Sequence, residues 1–186
     1  MLKTAIFYKY LRKEFIIARS TDYDDIKRHV DNIILDKKTG NIVCALDETT
    51  DLENVREKKE EVSKMNEEHG ASLKYGLKYE EEIFKSPGKR EVKNTPKVRE
   101  IPDIPLFYLS IPYEFVEGGM SSFETHLEKV SDMEYKLYKS FVDLMRDQIK
   151  HFPYSRSNQN TRTNLSNFSR ESFPKFEQTE KTLYNR

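Results

Sequence analysis

The sequence reads as a small α/β domain, a three-layer-like arrangement of a mixed sheet with flanking helices. Three observations point there. Two arms rich in Ile, Val and Leu, residues 30–36 and 41–47, flank Lys37-Lys38-Thr39-Gly40, and a closing Gly suits the left-handed position of a bulged hairpin. Apolar residues at helical spacing bracket that hairpin, over residues 2–18 before it and from Thr50 after it. A further apolar run, residues 104–112, is followed by the broad helical periodicity of residues 121–151.

Ile6, Tyr10, Leu11, Phe15 and Ala18 carry the first helix, and the polar stretch 19–25 reads as a loop. Thr50 and Glu53 form a capping-box pattern for the second helix. Its narrow stripe of Leu52, Val55, Val62 and Met65 suits a helix that covers a sheet with one side, and His69-Gly70 supplies the stop. A short strand is expected over 72–77. Residues 80–100, charged and carrying Pro87-Gly88 and Pro96, read as an irregular excursion or weak hairpin. Prolines 105 and 112 mark the ends of the buried strand. Gly118-Gly119 reads as a turn, with Ser121 or Ser122 capping the last helix. After Pro153 no apolar period is sustained, so residues 1–152 form the expected domain and 153–186 a disordered tail.

Composition narrows the function. Of all residues 36% are hydrophobic and 34% charged, which leaves a compact core. The 32 basic and 32 acidic residues cancel, so a polyanionic partner would need a local basic surface. The single cysteine, Cys44, excludes an intramolecular disulfide and a Cys-based zinc cluster, and reads as a small core residue. The four histidines have no metal-ligand spacing, and neither a phosphate-binding glycine loop nor a serine nucleophile elbow is present. With no long apolar run and no leader pattern, no membrane partner is expected and a cytoplasmic location is.

The hairpin carries the chemistry. With Gly40 at the left-handed position, paired residue numbers sum to about 78. Asp31 then faces Asp47, with Cβ atoms roughly 4.5–5.5 Å apart. Two like charges so placed repel unless one is protonated or a cation lies between them. A hard divalent ion such as Mg²⁺ or Mn²⁺ meets that need. The plainer reading is two strand-end carboxylates in solvent; Glu48, pointing to the opposite face, reads as solvent-facing too.

A helix, a strand carrying Asp, a hairpin to a strand ending in an acid, and a crossing helix resemble the core of the PD-(D/E)XK nuclease-like superfamily. Tyr23-Asp24-Asp25-Ile26, Val30-Asp31, Ala45-Leu46-Asp47-Glu48-Thr49, Leu73-Lys74-Tyr75-Gly76 and Ile104-Pro105 carry the likeness over about residues 5–112. It implies a restriction-endonuclease-like core, metal binding by Asp31 and Asp47, and a lysine two residues after the second acid that positions or activates water. Here that position is Thr49, whose hydroxyl supplies neither positive charge nor a base at neutral pH. Lys58 and Lys59 on the following helix, or Lys74 on the next strand, are the candidates to replace it, against the default of intrahelical ion pairing for the first two. Glu14 is the candidate helix-borne third acid, and Asp24 and Asp25 lie close enough in sequence to fold back on the site.

The implied chemistry is metal-assisted phosphodiester hydrolysis with a nucleic acid substrate. In the tail, Arg156, Arg162, Arg170, Lys175 and Lys181 are interleaved with Tyr154, Phe168, Phe173 and Phe176, a composition suited to a nucleic acid backbone with aromatic stacking, against the default that such tails bind nothing in particular. The alternative is a non-catalytic scaffold or interaction module that keeps the fold and forms a homo-oligomer through the apolar face of the 121–151 helix.

Overall fold

The computed structural model describes residues 2–49, 55–86, 89–110, 115, 117–118, 121, 130–152 and 154–184. In chain order these form α1 (Leu2–Leu11), β1 (Phe15–Arg19), α2 (Asp22–Arg28), β2 (Asn32–Asp36), β3 (Ile42–Thr49) and α3 (Val55–Glu68). There follow β4 (Ala71–Ser86), β5 (Lys89–Ile104), β6 (Leu106–Ser110), α4 (Asp132–Lys150), α5 (Gln159–Asn167), a π-helical turn (Phe168–Ser172) and α6 (Phe173–Tyr184).

The mixed sheet with flanking helices is present. Its order is β1-β2-β3-β6; the first three strands are antiparallel and β6 runs parallel to β3. A parallel neighbour needs a crossover, and α3 with the β4–β5 ribbon supplies it. Because helices lie on both faces, Cys44, Ala45 and Leu46 of β3 and Leu106 to Leu109 of β6 are all buried. Alternation sorts them. Cys44, Leu46, Phe107 and Leu109 pack with α1, α4 and α6, while Ala45, Leu106 and Tyr108 pack with Val62 of α3 and the base of the ribbon. Burial pushes the Cys44 thiol far up, in keeping with an inert core residue.

The outer edge of β6 is closed by side chains. Asn66 of α3 donates to Leu106 O (2.8 Å) and accepts from Leu106 N (3.0 Å). Gln148 of α4 does the same to Tyr108, at 3.0 Å in both directions. Each amide stands in for one residue of a missing strand, so the edge strand keeps its backbone bonds.

Several elements differ from the sequence reading. The first helix stops at Leu11, and Phe15-Ile16-Ile17-Ala18-Arg19 is β1. The helical spacing of Phe15 and Ala18 is coincidental, and the β-branched pair Ile16-Ile17 favours a strand. The loop at 19–25 contains α2, capped by Thr21 with Asp22, Asp24 and Asp25 in its first turn. At 80–100 the structure takes the hairpin alternative rather than the irregular excursion, as a ribbon with β4 paired to β5 from Ala71–Ile104 out to Ser86–Lys89. Gly70, at φ 66°, ends α3 as expected. The last helix begins at Asp132, where Ser131 and Glu134 form a capping box. Gly118 and Ser121 are helical, whereas Thr50, Leu52, Glu53, Gly119, Ser122 and Pro112 lie outside the described residues.

The segment after Pro153, expected as a disordered tail, is helical and part of the core. Leu165, Phe168, Phe173, Phe176 and Leu183 are buried, and Phe176 packs against Phe7 and Phe15. The π turn explains why the sequence shows no period there. The Phe173 N–H donates to Phe168 O, five residues back, which brings two rings so spaced onto one face. With Phe168, Phe173 and Phe176 inside, these rings are not available to stack on bases. The apolar face of α4 is likewise occupied: Leu137, Tyr138, Phe141, Val142 and Met145 are buried within the chain, which removes the surface expected to form a homo-oligomer. Among the described residues, no helix is long and apolar enough to cross a membrane.

Two outcomes follow. Asn66→Asp replaces a donor to Leu106 O with a second acceptor, and should cost about 1–3 kcal/mol in urea unfolding at neutral pH. Phe176→Ala should cost about 3–5 kcal/mol, where a disordered tail would tolerate it without change.

Candidate functional site

The hairpin has the expected register. Asn32 pairs with Leu46, Ile33 with Ala45 and Ile34 with Cys44, before a bulge shifts Leu35 onto Ile42. Gly40 has φ 71°, a conformation that suits glycine, and its N–H closes the turn on Asp36 O at 2.8 Å. Asp31 lies just before β2 and outside this pairing; its N–H donates to Leu46 O (2.9 Å), the residue already opposite Asn32, and its charge acts on Asp47.

Backbone and lysine hold the two acids differently. Asp31 Oδ2 accepts from the Glu48 N–H at 2.5 Å. Asp47 is 4% exposed, and Lys58 Nζ of α3 lies 2.6 Å from its Oδ2. That approach is off the favourable hydrogen-bond angle, so Oδ2 is a buried acceptor with an ion pair but no well-formed hydrogen bond. Burial raises the Asp47 carboxyl above its ordinary 3.8; Lys58 offsets part of the rise and the charge of Asp31 adds to it. For Lys58, burial works downwards but is outweighed by Asp47 and then Glu61, so the ammonium sits above its ordinary 10.5. Glu61 lies 3.4 Å from Lys58 and 3.6 Å from His29 Nε2. His29 itself caps α2 in the left-handed conformation at φ 54°, a strained choice for a residue with a Cβ.

The other expected residues lie elsewhere. Glu14 is in the turn after α1, beside Lys175 (3.5 Å) and near Asp36, at the far end of β2. Five residues of strand separate that end from Asp31, roughly 17 Å, so Glu14 is no ligand of the pair. Lys74 is on the exposed side of β4, its Nζ 4.5 Å from the Tyr23 ring centre and 5.5 Å from that of Tyr75. Lys59 reaches Asp147 of α4. Asp24 is buried and ties α2 to β4: its Oδ1 accepts from Lys74 N–H (2.8 Å) and its Oδ2 from the Thr21 hydroxyl (2.8 Å). Asp25 faces Arg19. Of the three candidate lysines, Lys58 alone is brought to the acidic pair.

The α1 side of the hairpin holds a feature absent from the sequence reading. A cavity of about 360 Å³ is lined by Asp31, Glu48, Asn32, Thr4, Tyr8 and Arg19, among others. Thr4 Oγ1 donates to Asn32 Oδ1 (2.9 Å), and Asn32 Nδ2 donates to Glu48 Oε1 (2.7 Å), so buried Asn32 orients Glu48 inward. Glu48 is therefore half-buried in a cavity wall rather than solvent-facing. The signal for it in the sequence is an Asn at the head of an apolar strand, on the face that also carries Ile34.

Asp31 and Asp47 are two hard oxygen donors of the kind that an Mg²⁺-type ion takes while it keeps several waters, and Lys58 already stands at Asp47 Oδ2. No cluster of three or more His, Cys, Asp or Glu arranged to hold a metal occurs among the described residues.

The Asp47 carboxyl, followed by ¹³C NMR, should titrate above 3.8. Lys58→Met should move it higher still, because burial and Asp31 remain, and Asp31→Asn should lower it. A folded value above the unfolded one means that Asp47 favours the fold fully below about pH 3.8. That contribution is lost as pH rises through the raised value, and Asp47→Asn should flatten this part of the stability curve.

No protein-family model, no curated protein and no solved structure matches this chain.

Proposed function

We propose that the chain is a nuclease-like hydrolase of phosphodiester bonds, with Asp31 and Asp47 holding Mg²⁺ or Mn²⁺ and Lys58 in place of the motif lysine. The observation that carries this reading is Lys58 Nζ at 2.6 Å from buried Asp47, on the strand that neighbours Asp31. The element order supports it too: a helix, antiparallel strands with Asp at the head of one and Asp near the end of the next, then a crossing helix. The PD-(D/E)XK resemblance implies that order without the β1 and α2 that stand here between α1 and Asp31, and a restriction-endonuclease-like core belongs to the same proposal.

When bound, the ion supplies Lewis acidity, lowering the pKa of a water and stabilising charge on phosphate oxygens. The chain does the rest. The Glu48 N–H fixes Asp31, so the carboxylate is oriented before any ligand arrives. Lys58 neutralises Asp47 and, kept protonated by it, can turn its remaining N–H bonds to a phosphate oxygen. Thr49 lies within the β3–β6 ladder, paired with Ser110, and takes no part in proton transfer. Arg19, on the rim of the cavity beside Asp31, is placed to meet a phosphate flanking the scissile one.

The same contact favours a second reading. If the Asp47–Lys58 pair is complete in itself, the chain is a non-catalytic scaffold that keeps the fold. Calorimetric titration of Mn²⁺, with and without a short oligonucleotide, separates the two. The hydrolase reading expects binding by the native protein, loss of binding in Asp31→Asn and Asp47→Asn, and retained binding in Lys58→Met. Lys58→Met should cut hydrolysis at least ~10²-fold. Absence of binding under both conditions would select the scaffold.

A further inference from the structure

The β4–β5 ribbon has a charge pattern of its own. Among the described side chains, its base joins the core through Ala71, Leu73, Ile101 and Ile104. From Gly76–Arg99 the paired strands continue to Ser86–Lys89, roughly 33 Å of two-stranded ribbon. Ile83, Phe84 and Val92 are 48%, 46% and 53% exposed in its outer half. An isolated two-stranded ribbon is marginal in water, and along its middle this one is held by ion pairs between its own strands. Glu80 pairs with Arg99 (2.8 Å) and Lys97 (3.6 Å), and Glu82 with Lys97 (2.7 Å). Lys97 thus answers the like-charged Lys78 across from it with two carboxylates.

The outer end is different. The register sets Lys85 directly opposite Arg90 and Ser86 opposite Lys89. In residues 84–91 Lys85, Lys89 and Arg90 stand against the single acid Glu91, three positive charges to one negative, in a chain whose charges balance overall, and Lys93 lies across from Glu82. Like charges directly opposite destabilise an antiparallel pair. Their placement at the end of a projecting element is accounted for by a polyanion that neutralises them there.

We propose that the outer half of the β4–β5 ribbon is a binding arm for double-stranded nucleic acid. A two-stranded ribbon fits a B-form major groove about 12 Å wide, and its basic end would then lie within a groove walled by phosphates. The exposed Ile83, Phe84 and Val92 provide apolar contact with sugars and base edges. The proposal goes beyond the hydrolytic reading and does not require it, since the arm is separate from Asp31 and Asp47.

Fluorescence anisotropy with a mixed-sequence duplex of about 20 base pairs, in EDTA and across a salt series, tests it without any cleavage. The native protein should bind, with log K falling linearly against log salt. Lys85→Gln/Lys89→Gln/Arg90→Gln should weaken binding at least tenfold at low salt and reduce the slope by about 2–3. Lys89→Glu alone, at the first position of β5, should weaken it severalfold and serves if the triple variant fails to fold. Lys27→Gln/Lys64→Gln, on α2 and α3, should bind as the native protein does. Equal affinity and slope in native and ribbon variants would overturn the proposal. So would an equal loss in the α2/α3 variant, or capture by phosphatidylserine vesicles without duplex binding. Because metal is absent throughout, failure here leaves the Mn²⁺ titration as an independent test of Asp31 and Asp47.

Discussion

Everything at the candidate site depends on the register of one hairpin. Side chains alternate along a strand, so a slip of one residue would move Asp47 from the α3 side to the α1 side and exchange it with Leu46 or Glu48. Gly40 in its left-handed conformation and the bulge at Ile34–Leu35 prevent that slip. The Asn32–Leu46 and Ile34–Cys44 pairs then lock it from the core side. The two aspartates are not a surface decoration. They sit where the apolar part of the hairpin ends, held there by burial on both faces.

Burial also sets the electrostatics. A carboxylate that is 4% exposed loses most of its hydration, and one ammonium at 2.6 Å restores only part of it. With Asp31 alongside, the site carries two acids against one closely paired ammonium. That imbalance favours either a proton on Asp47 or a further cation, and the two states compete. On the proposed hydrolase reading, proton and metal binding at this pair would oppose each other. The cavity on the α1 side bears on only one of the acids, Asp31, together with Glu48. Asp31 thus stands between a closed, lysine-paired side and an open one.

Much of this architecture is legible in the sequence, for reasons that can be named. The hairpin is readable because Gly40 and its two apolar arms are local signals. Gly70 is readable as a helix stop for the same reason. The β6 strand announces itself by burial on both faces, which leaves Leu106 to Leu109 with little polar relief. Long-range features are not legible. Lys58 and Lys59 are adjacent in a Glu- and Lys-rich helix, and only the angle at which α3 crosses the sheet decides that the first meets Asp47 while the second meets Asp147. Apolar spacing extends the first helix past Glu14, whereas the chain leaves that helix after Leu11 and carries Glu14 to the wrong end of the sheet for the pair. The C-terminal segment hides its buried phenylalanines because a π turn breaks the 3.6-residue period that would reveal them. The ribbon is obscured by its charges, which lower strand propensity residue by residue yet pair across the strands once the register is set.

Asn66 and Gln148 have a consequence for how this sheet can meet other chains. Each is a side-chain amide acting as one residue of a fifth strand, so the β6 edge has its hydrogen-bonding groups filled from α3 and α4. A peptide that recognises proteins by lengthening a sheet needs a row of unpaired backbone groups. On this molecule that route is blocked at Leu106 and Tyr108 of β6, and the other sheet edges among the described residues are those of β1 and of the ribbon itself. The same two amides guard against uncontrolled self-pairing, because an edge already satisfied offers no template to a second copy.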